Sequence, residues 1–217
     1  MKKKELIERW GNPAFVTNET PDLVSTLNAN SIVGPKDFRG ITLGLTGSPK
    51  DLEWASFVNK TLTSVDFSFA RLSCSFDKSV MECVNFTNAL LDTSSMCHVR
   101  ARHCDFSGGS IDAPNWNDAH FDHCAFHKSK IKGRGMLSYG GCRAVFNDCD
   151  FSECKIRGLE FRASKFINGV FNQTVFERCD LRGAKFEGSI PQPNQFKECN
   201  TQGIHFNGQP LDSLKPE

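Results

Sequence analysis

The residues best suited to chemistry in this chain are its ten cysteines and six histidines, and they meet in HCDF at His103 to Phe106 and again in HCAF at His123 to Phe126. Thiolates and imidazoles are the donors zinc prefers. Cys83 extends the series to an evenly spaced Cys83, His103 and His123. Even spacing makes a row, whereas a tetrahedral site needs four donors that converge, and no fourth is evident. The sequence therefore assigns no metal and no cofactor. Its acids do not read as a catalytic pair either: Asp92 and Asp112, or Glu160 and Asp180, fall at outward positions where water keeps a carboxylate ordinary. No nucleophile elbow, phosphate loop or metalloprotease motif appears. The expectation is a protein that is not an enzyme.

What spaces the histidines is a repeat. From Phe76 onward every phenylalanine sits at a residue number ending in 1 or 6, from Phe76, Phe86 and Phe106 through to Phe206. Most vacant slots of that series hold Met, Leu, Ile or Trp, as at Met81, Leu91, Trp116, Ile131, Met136 and Ile156. Two residues earlier the side chain is mostly small, as at Cys74, Ser79, Ala89, Cys104, Ala119 and Cys124. Seven of the ten cysteines occupy this small slot, where a free thiol behaves as a compact hydrophobe.

A period of five suits neither a helix, where it scatters the rings around the cylinder, nor a strand, where it alternates faces. The backbone must turn a corner in every pentad. Turn-forming residues follow the large slot, as in FSGG at 106 to 109 and FNDC at 146 to 149. Taken at every fourth pentad, the large slot reads Phe86, Phe106, Phe126, Phe146, Phe166, Phe186, Phe206, which predicts four sides per coil and one unbroken aromatic column. The Gly-rich stretch at 132 to 141 looks like an inserted loop, but a ten-residue loop would move Phe146 off the Phe126 column, so a distorted continuation of that coil is the preferred of the two readings.

Units such as VNFTN at 84 to 88, CDFSG at 104 to 108, CDLRG at 179 to 183 and AKFEG at 184 to 188 resemble the pentapeptide-repeat family. The resemblance implies an all-β solenoid, a right-handed four-sided β-helix, here of about eight coils. Phe57, Leu62, Phe67 and Leu72 continue the pattern upstream with a one-residue slip before Phe76, while Lys60 in a small slot predicts an irregular first coil. Residues 1–48 read as a small α-helical N-terminal cap, 49–211 as the solenoid and 212–217 as a tail. Within the cap, Lys2 to Trp10 and a segment with Thr20 as N-cap and Pro21 at the first helical position predict helices, and Phe38 and Leu43 begin the repeat.

Function is expected in the outward residues. A net charge of +1 gives no general case for nucleic-acid or membrane binding, and no apolar run reaches membrane-spanning length, so the expectation is a cytoplasmic chain. The flat sides suit a non-catalytic, bacterial-type scaffold for protein–protein interaction. Its contact residues are read as the apolar Leu137, Tyr139 and Val145 at the Gly-rich stretch, together with Arg100, Arg102, Arg143, Arg162 and Arg182 on one side. The resemblance also implies an alternative, a DNA mimic that binds DNA gyrase or topoisomerase IV and protects it from quinolones, but a polyanion mimic requires an acidic surface. Those relatives look like dimers joined through an apolar C-terminal segment; the tail here has little to bury, and a monomer is expected.

Overall fold

The second residue after each large slot turns the chain. In the computed structural model, which describes residues 1–45, 48, 52–134 and 139–210, this corner residue has a left-handed φ at nearly every corner, whether it is Cys83, His103, Lys128 or Gly183, with Gly133 after Ile131 an exception. A non-glycine residue there costs about 1–2 kcal/mol. The cost is offset because corners stack and are held by bonds between coils, such as His103 N–H to the Asp122 carbonyl at 3.0 Å.

Four corners close a square coil, and the coils stack as four parallel ladders. In chain order, the side beginning at Phe76 is face 1, that at Met81 face 2, that at Phe86 face 3 and that at Leu91 face 4. Faces 2 and 4 carry short strands, as at Val80–Glu82 and Leu90–Asp92. Faces 1 and 3 are joined by single bridges, such as Ser75 to Ser95 and Asn85 to Asp105. The large side chains fill the tube: Phe76, Phe86, Phe106, Phe121, Phe146 and Phe166 are all buried. Their rings stack coil upon coil, with Phe86 and Phe106 at 4.9 Å and Phe166 and Phe186 at 4.6 Å between centroids. Each buried ring contributes about 1.5–3 kcal/mol.

The expected single column of phenylalanines is in fact two. Phe126 stacks on Phe151 at 4.9 Å, and Phe146 stacks on Phe121 at 5.2 Å. His120 pairs with Val145, and Lys130 with Lys155, so one coil is made of five pentads rather than four. The extra pentad lies between Ile131 on face 4 and Gly141 on face 1, in the Gly-rich stretch. This stretch therefore does not continue the coil, as the repeat suggested, but lengthens it, and every later residue moves one face along. Met136 and Leu137 lie outside the described residues. The slip before Phe76 is present: Phe57 stacks on Phe76 and Leu62 pairs with Met81, in each case one residue short of four full pentads.

Below the first complete coil, the strand β1 (Ser31–Asp37) pairs in parallel with Thr61–Asp66, Phe38 meets Phe67, and Leu43 pairs with Leu72. Three short helices cover this end: α1 (Lys3–Glu8), α2 (Pro13–Asn18) and α3 (Leu23–Asn28). They bury Leu6, Leu23 and Leu27, with Trp10 from the 3₁₀ turn after α1. The helix expected after Thr20 and Pro21 starts later than its sequence signal. Asp22 is the N-cap of α3, and Thr20 instead donates to the Val16 carbonyl at the end of α2. Helix α2 has a signal of its own in Asn12, whose side chain accepts from Ala14 N–H, and Pro13 at the first turn. Lys60 has a use at this junction: its ammonium donates to the Leu27 carbonyl at the C-terminal end of α3.

Asp37 clasps the cap to β1. Arg9 donates to both its carboxylate oxygens, at 3.0 and 2.7 Å, and Arg39 does so at 2.9 and 2.7 Å. Partial burial pushes the carboxyl up, but the hydrogen bonds from Arg39 and Arg9 outweigh it and hold it well below its ordinary value of 3.8. A depressed folded-state value means the clasp stabilises the fold above about pH 4 and is lost as the pH falls below that. The protection of the amides in α1 and β1, taken relative to the intrinsic exchange rate at each pH, should therefore fall on acidification from about pH 5 towards pH 2, and Asp37→Asn should lower it already at pH 7.

Candidate interaction face

The four faces differ in how far their outward side chains are free to meet another molecule. On faces 1 and 3 the residue before the large slot is often Asp, Asn or Ser, and its oxygen accepts the backbone N–H two residues on. Asp105 takes Ser107 N–H and Asp150 takes Ser152 N–H, both at 2.8 Å; Asn115 and Asp180 do the same on face 1. These polar groups are spent on their own turns.

On face 4 a central cluster of charge is tied down. Arg134 reaches Asp92 and Asp112, Lys132 also meets Asp112, and Arg157 meets Glu177. Lys130 and Lys155 stand beside this cluster and make no ion pair among the described residues.

Face 2 combines open cations with exposed apolar groups. Before the large slot it presents Val80, Arg100, His120, Val145, Lys165 and Lys185 in register. After the slot it presents Glu82, Arg102, Asp122, Asn147, Ile167 and Glu187. Arg102 pairs with Asp122 at 3.3 Å. Among the described residues, Arg100, Lys165 and Lys185 are exposed and make no ion pair. Val33 and Val80 are 61% and 47% exposed at the capped end of the same face. A shallow groove lined by Val80, Glu82, Arg100, Arg102, His120 and Asp122 runs between the two rows.

The contact residues expected from the sequence do not form one patch. Arg100, Arg102 and Val145 share face 2. Arg162 and Arg182 lie on face 1, where they bind Glu160 at 2.9 Å and Asp180 at 2.6 Å. Arg143 sits at the corner between these faces and holds the Asp118 carboxylate through two bonds, at 2.7 and 2.6 Å. The five-pentad coil is the reason: stepping across it by four pentads assigns residues of face 1 to face 2. Tyr139, expected to point outward, fills a small slot and packs half-buried against the core. Leu137 lies outside the described residues. Glu160, expected to be solvated, is buried, with the Cys142 thiol 3.4 Å from its carboxylate in addition to Arg162. Lys165 and Lys185 are legible as residues preceding Phe166 and Phe186, once the face they occupy is known.

Six cysteines are buried in the tube. Burial pushes the Cys74 and Cys154 thiols up to about 12, which suits packing rather than reactivity. The rings of His103 and His123 lie 5.2 Å apart at the corner after face 2, with Cys83 exposed in the same row.

A square tube of stacked five-residue units, with its large side chains inside and a left-handed residue at nearly every corner, defines a repeat scaffold. Residues 151–190 match the family model for pentapeptide repeats (9 copies), so the chain carries repeats of that kind. Full-length QnrB1, a plasmid-mediated fluoroquinolone resistance protein, is 13% identical, with 77% of this chain and 90% of that one covered at a TM-score of 0.42. HetL of the cyanobacterium Nostoc sp. strain PCC 7120, a pentapeptide repeat protein involved in heterocyst differentiation regulation, is 15% identical over 82% of this chain and 88% of that one, with a TM-score of 0.38. Rfr23 of the cyanobacterium Cyanothece 51142 is 12% identical over 88% and 93%, with a TM-score of 0.21. No curated protein matches the chain. No helix among the described residues is long and apolar enough to cross a membrane.

Proposed function

We propose that this chain is a non-catalytic scaffold that docks an acidic partner protein along face 2. The observation that carries the proposal is the row of Arg100, Lys165 and Lys185, exposed and without ion pairs among the described residues, on a flat strand surface that also exposes Val33 and Val80. A cationic row steers an acidic surface towards it, and exposed valines beside it offer apolar area to bury. The filled interior supports a role without catalysis, because among the described residues the stacked rings occupy the inside of the tube. A DNA mimic would need the opposite charge on its docking face.

Charge reversal tests the assignment. The triple variant Arg100→Glu, Lys165→Glu, Lys185→Glu should retain its fold, since these exposed side chains hold no ion pair among the described residues. It should bind the partner captured by the native chain at least about tenfold more weakly, a loss of about 1.4 kcal/mol. The variant Lys130→Glu, Lys155→Glu on face 4 should bind it normally. Equal capture by all three chains would remove face 2 from consideration. A supercoiling assay with gyrase and a fluoroquinolone separates the mimic reading: no protection is expected, and protection would favour the mimic.

A further inference from the structure

We infer that the corner after face 2 is a binding site for a late first-row divalent cation of the zinc class, held between the His123 imidazole and the Asp148 carboxylate, with Asp122 orienting the ring. Asp122, His123 and Asp148 bring one donor atom each to within 4.8 Å of one another. His123 Nδ1 lies 3.0 Å from Asp122 Oδ1, which fixes that nitrogen as the N–H donor and leaves the Nε2 lone pair facing Asp148 Oδ2 at 3.9 Å. A zinc ion sits about 2.0–2.2 Å from imidazole nitrogen or carboxylate oxygen, so it fits between these two atoms with a small side-chain adjustment. Water completes the coordination at this exposed corner.

The surroundings have the form of a carboxylate–histidine–metal relay, in which the second nitrogen of a ligating histidine is held by a carboxylate that is itself held. Asp122 accepts a hydrogen bond from Asn147 Nδ2 at 2.7 Å and meets Arg102 Nε at 3.3 Å. Both proposed ligands stand on corner residues, His123 with φ 51° and Asp148 with φ 49°. Their N–H groups are anchored to the next coil, each at 2.9 Å, on the Asn147 and Ile167 carbonyls. The ligands are thus pre-positioned one coil apart, so that little ordering remains to be done on binding. A mixed nitrogen and oxygen set suits zinc, nickel or copper better than calcium or magnesium.

The five-pentad coil creates the pair. A regular coil of four pentads would stack Arg143 on His123 and exclude a cation; the added pentad brings Asp148 there instead. The sequence row of Cys83, His103 and His123 shares only His123 with this site.

The test is a titration of the full isotope-labelled chain with zinc chloride at about pH 7.5, following the His123 ring resonances by NMR. A saturable shift at one equivalent is expected. Asp148→Asn and Asp122→Asn should each weaken it about 10–100-fold while leaving the thermal midpoint near that of the native chain. Cys83→Ser should leave it unchanged. No shift at His123, a shift insensitive to Asp148→Asn, or one abolished by Cys83→Ser would each overturn the assignment.

Discussion

Phe146→Ala is expected to destabilise the chain by about 3–5 kcal/mol. Phe146 lies at the first coil above the added pentad. Its ring is sandwiched between Phe121 at 5.2 Å and Phe166 at 5.0 Å and has Phe151 at its side at 5.3 Å. Removing it opens a cavity that neighbours fixed by coil-to-coil backbone bonds cannot collapse to fill. In a solenoid each coil is stabilised mainly by its neighbours, so the loss also weakens coupling across that level. Urea denaturation should give a lower midpoint and a broadened or two-step transition. A stability within about 1 kcal/mol of the native one would mean that this ring is not in the stack.

Gly141→Leu is the second large effect, and its cause is the opposite. Gly141 occupies a large slot on face 1 between Trp116 and Phe161. A Cβ built there lies 3.0 Å from Ala144 Cβ, 3.4 Å from Trp116 Cβ and 3.5 Å from the Phe161 ring. The fully buried Trp116 indole reaches the coil of Gly141, its ring centroid 6.0 Å from that of Phe146. Overpacking by leucine should cost about 1–3 kcal/mol. Trp116→Leu should relieve it, so the double variant should be more stable than the sum of the two single changes predicts, by about 0.5–3 kcal/mol. Strict additivity in denaturation would show that the two sites do not share this space.

These two sites mark what could be read from the sequence and what could not. The spacing of the phenylalanines gives the corner, the square section and the slip before Phe76, because those depend on inward side chains whose types are restricted by volume. Phe38 and Leu43 are legible for the same reason. The added pentad is not legible: one more unit inserted into a repeat of identical units leaves its local phase intact, so Met136 looks like any other large slot while all later residues change face. The arginine stripe failed there, and Asp148 beside His123 was hidden there. Tyr139 reads as an outward aromatic for want of any sign that a small slot has widened to take it. Outward residues such as Lys165 and Lys185 are unconstrained by packing, and only the fold says which neighbours they have.

Scalar couplings through backbone hydrogen bonds measure the five-pentad coil directly, and the faces, the docking row and the cation site all depend on it. NMR of the labelled chain should show His123 N–H coupled to the Asn147 carbonyl and Phe126 N–H coupled to the Asp150 carbonyl, as their 2.9 and 2.7 Å contacts require. Couplings to the Cys142 and Val145 carbonyls instead would restore a uniform coil of four pentads and contradict all three assignments together.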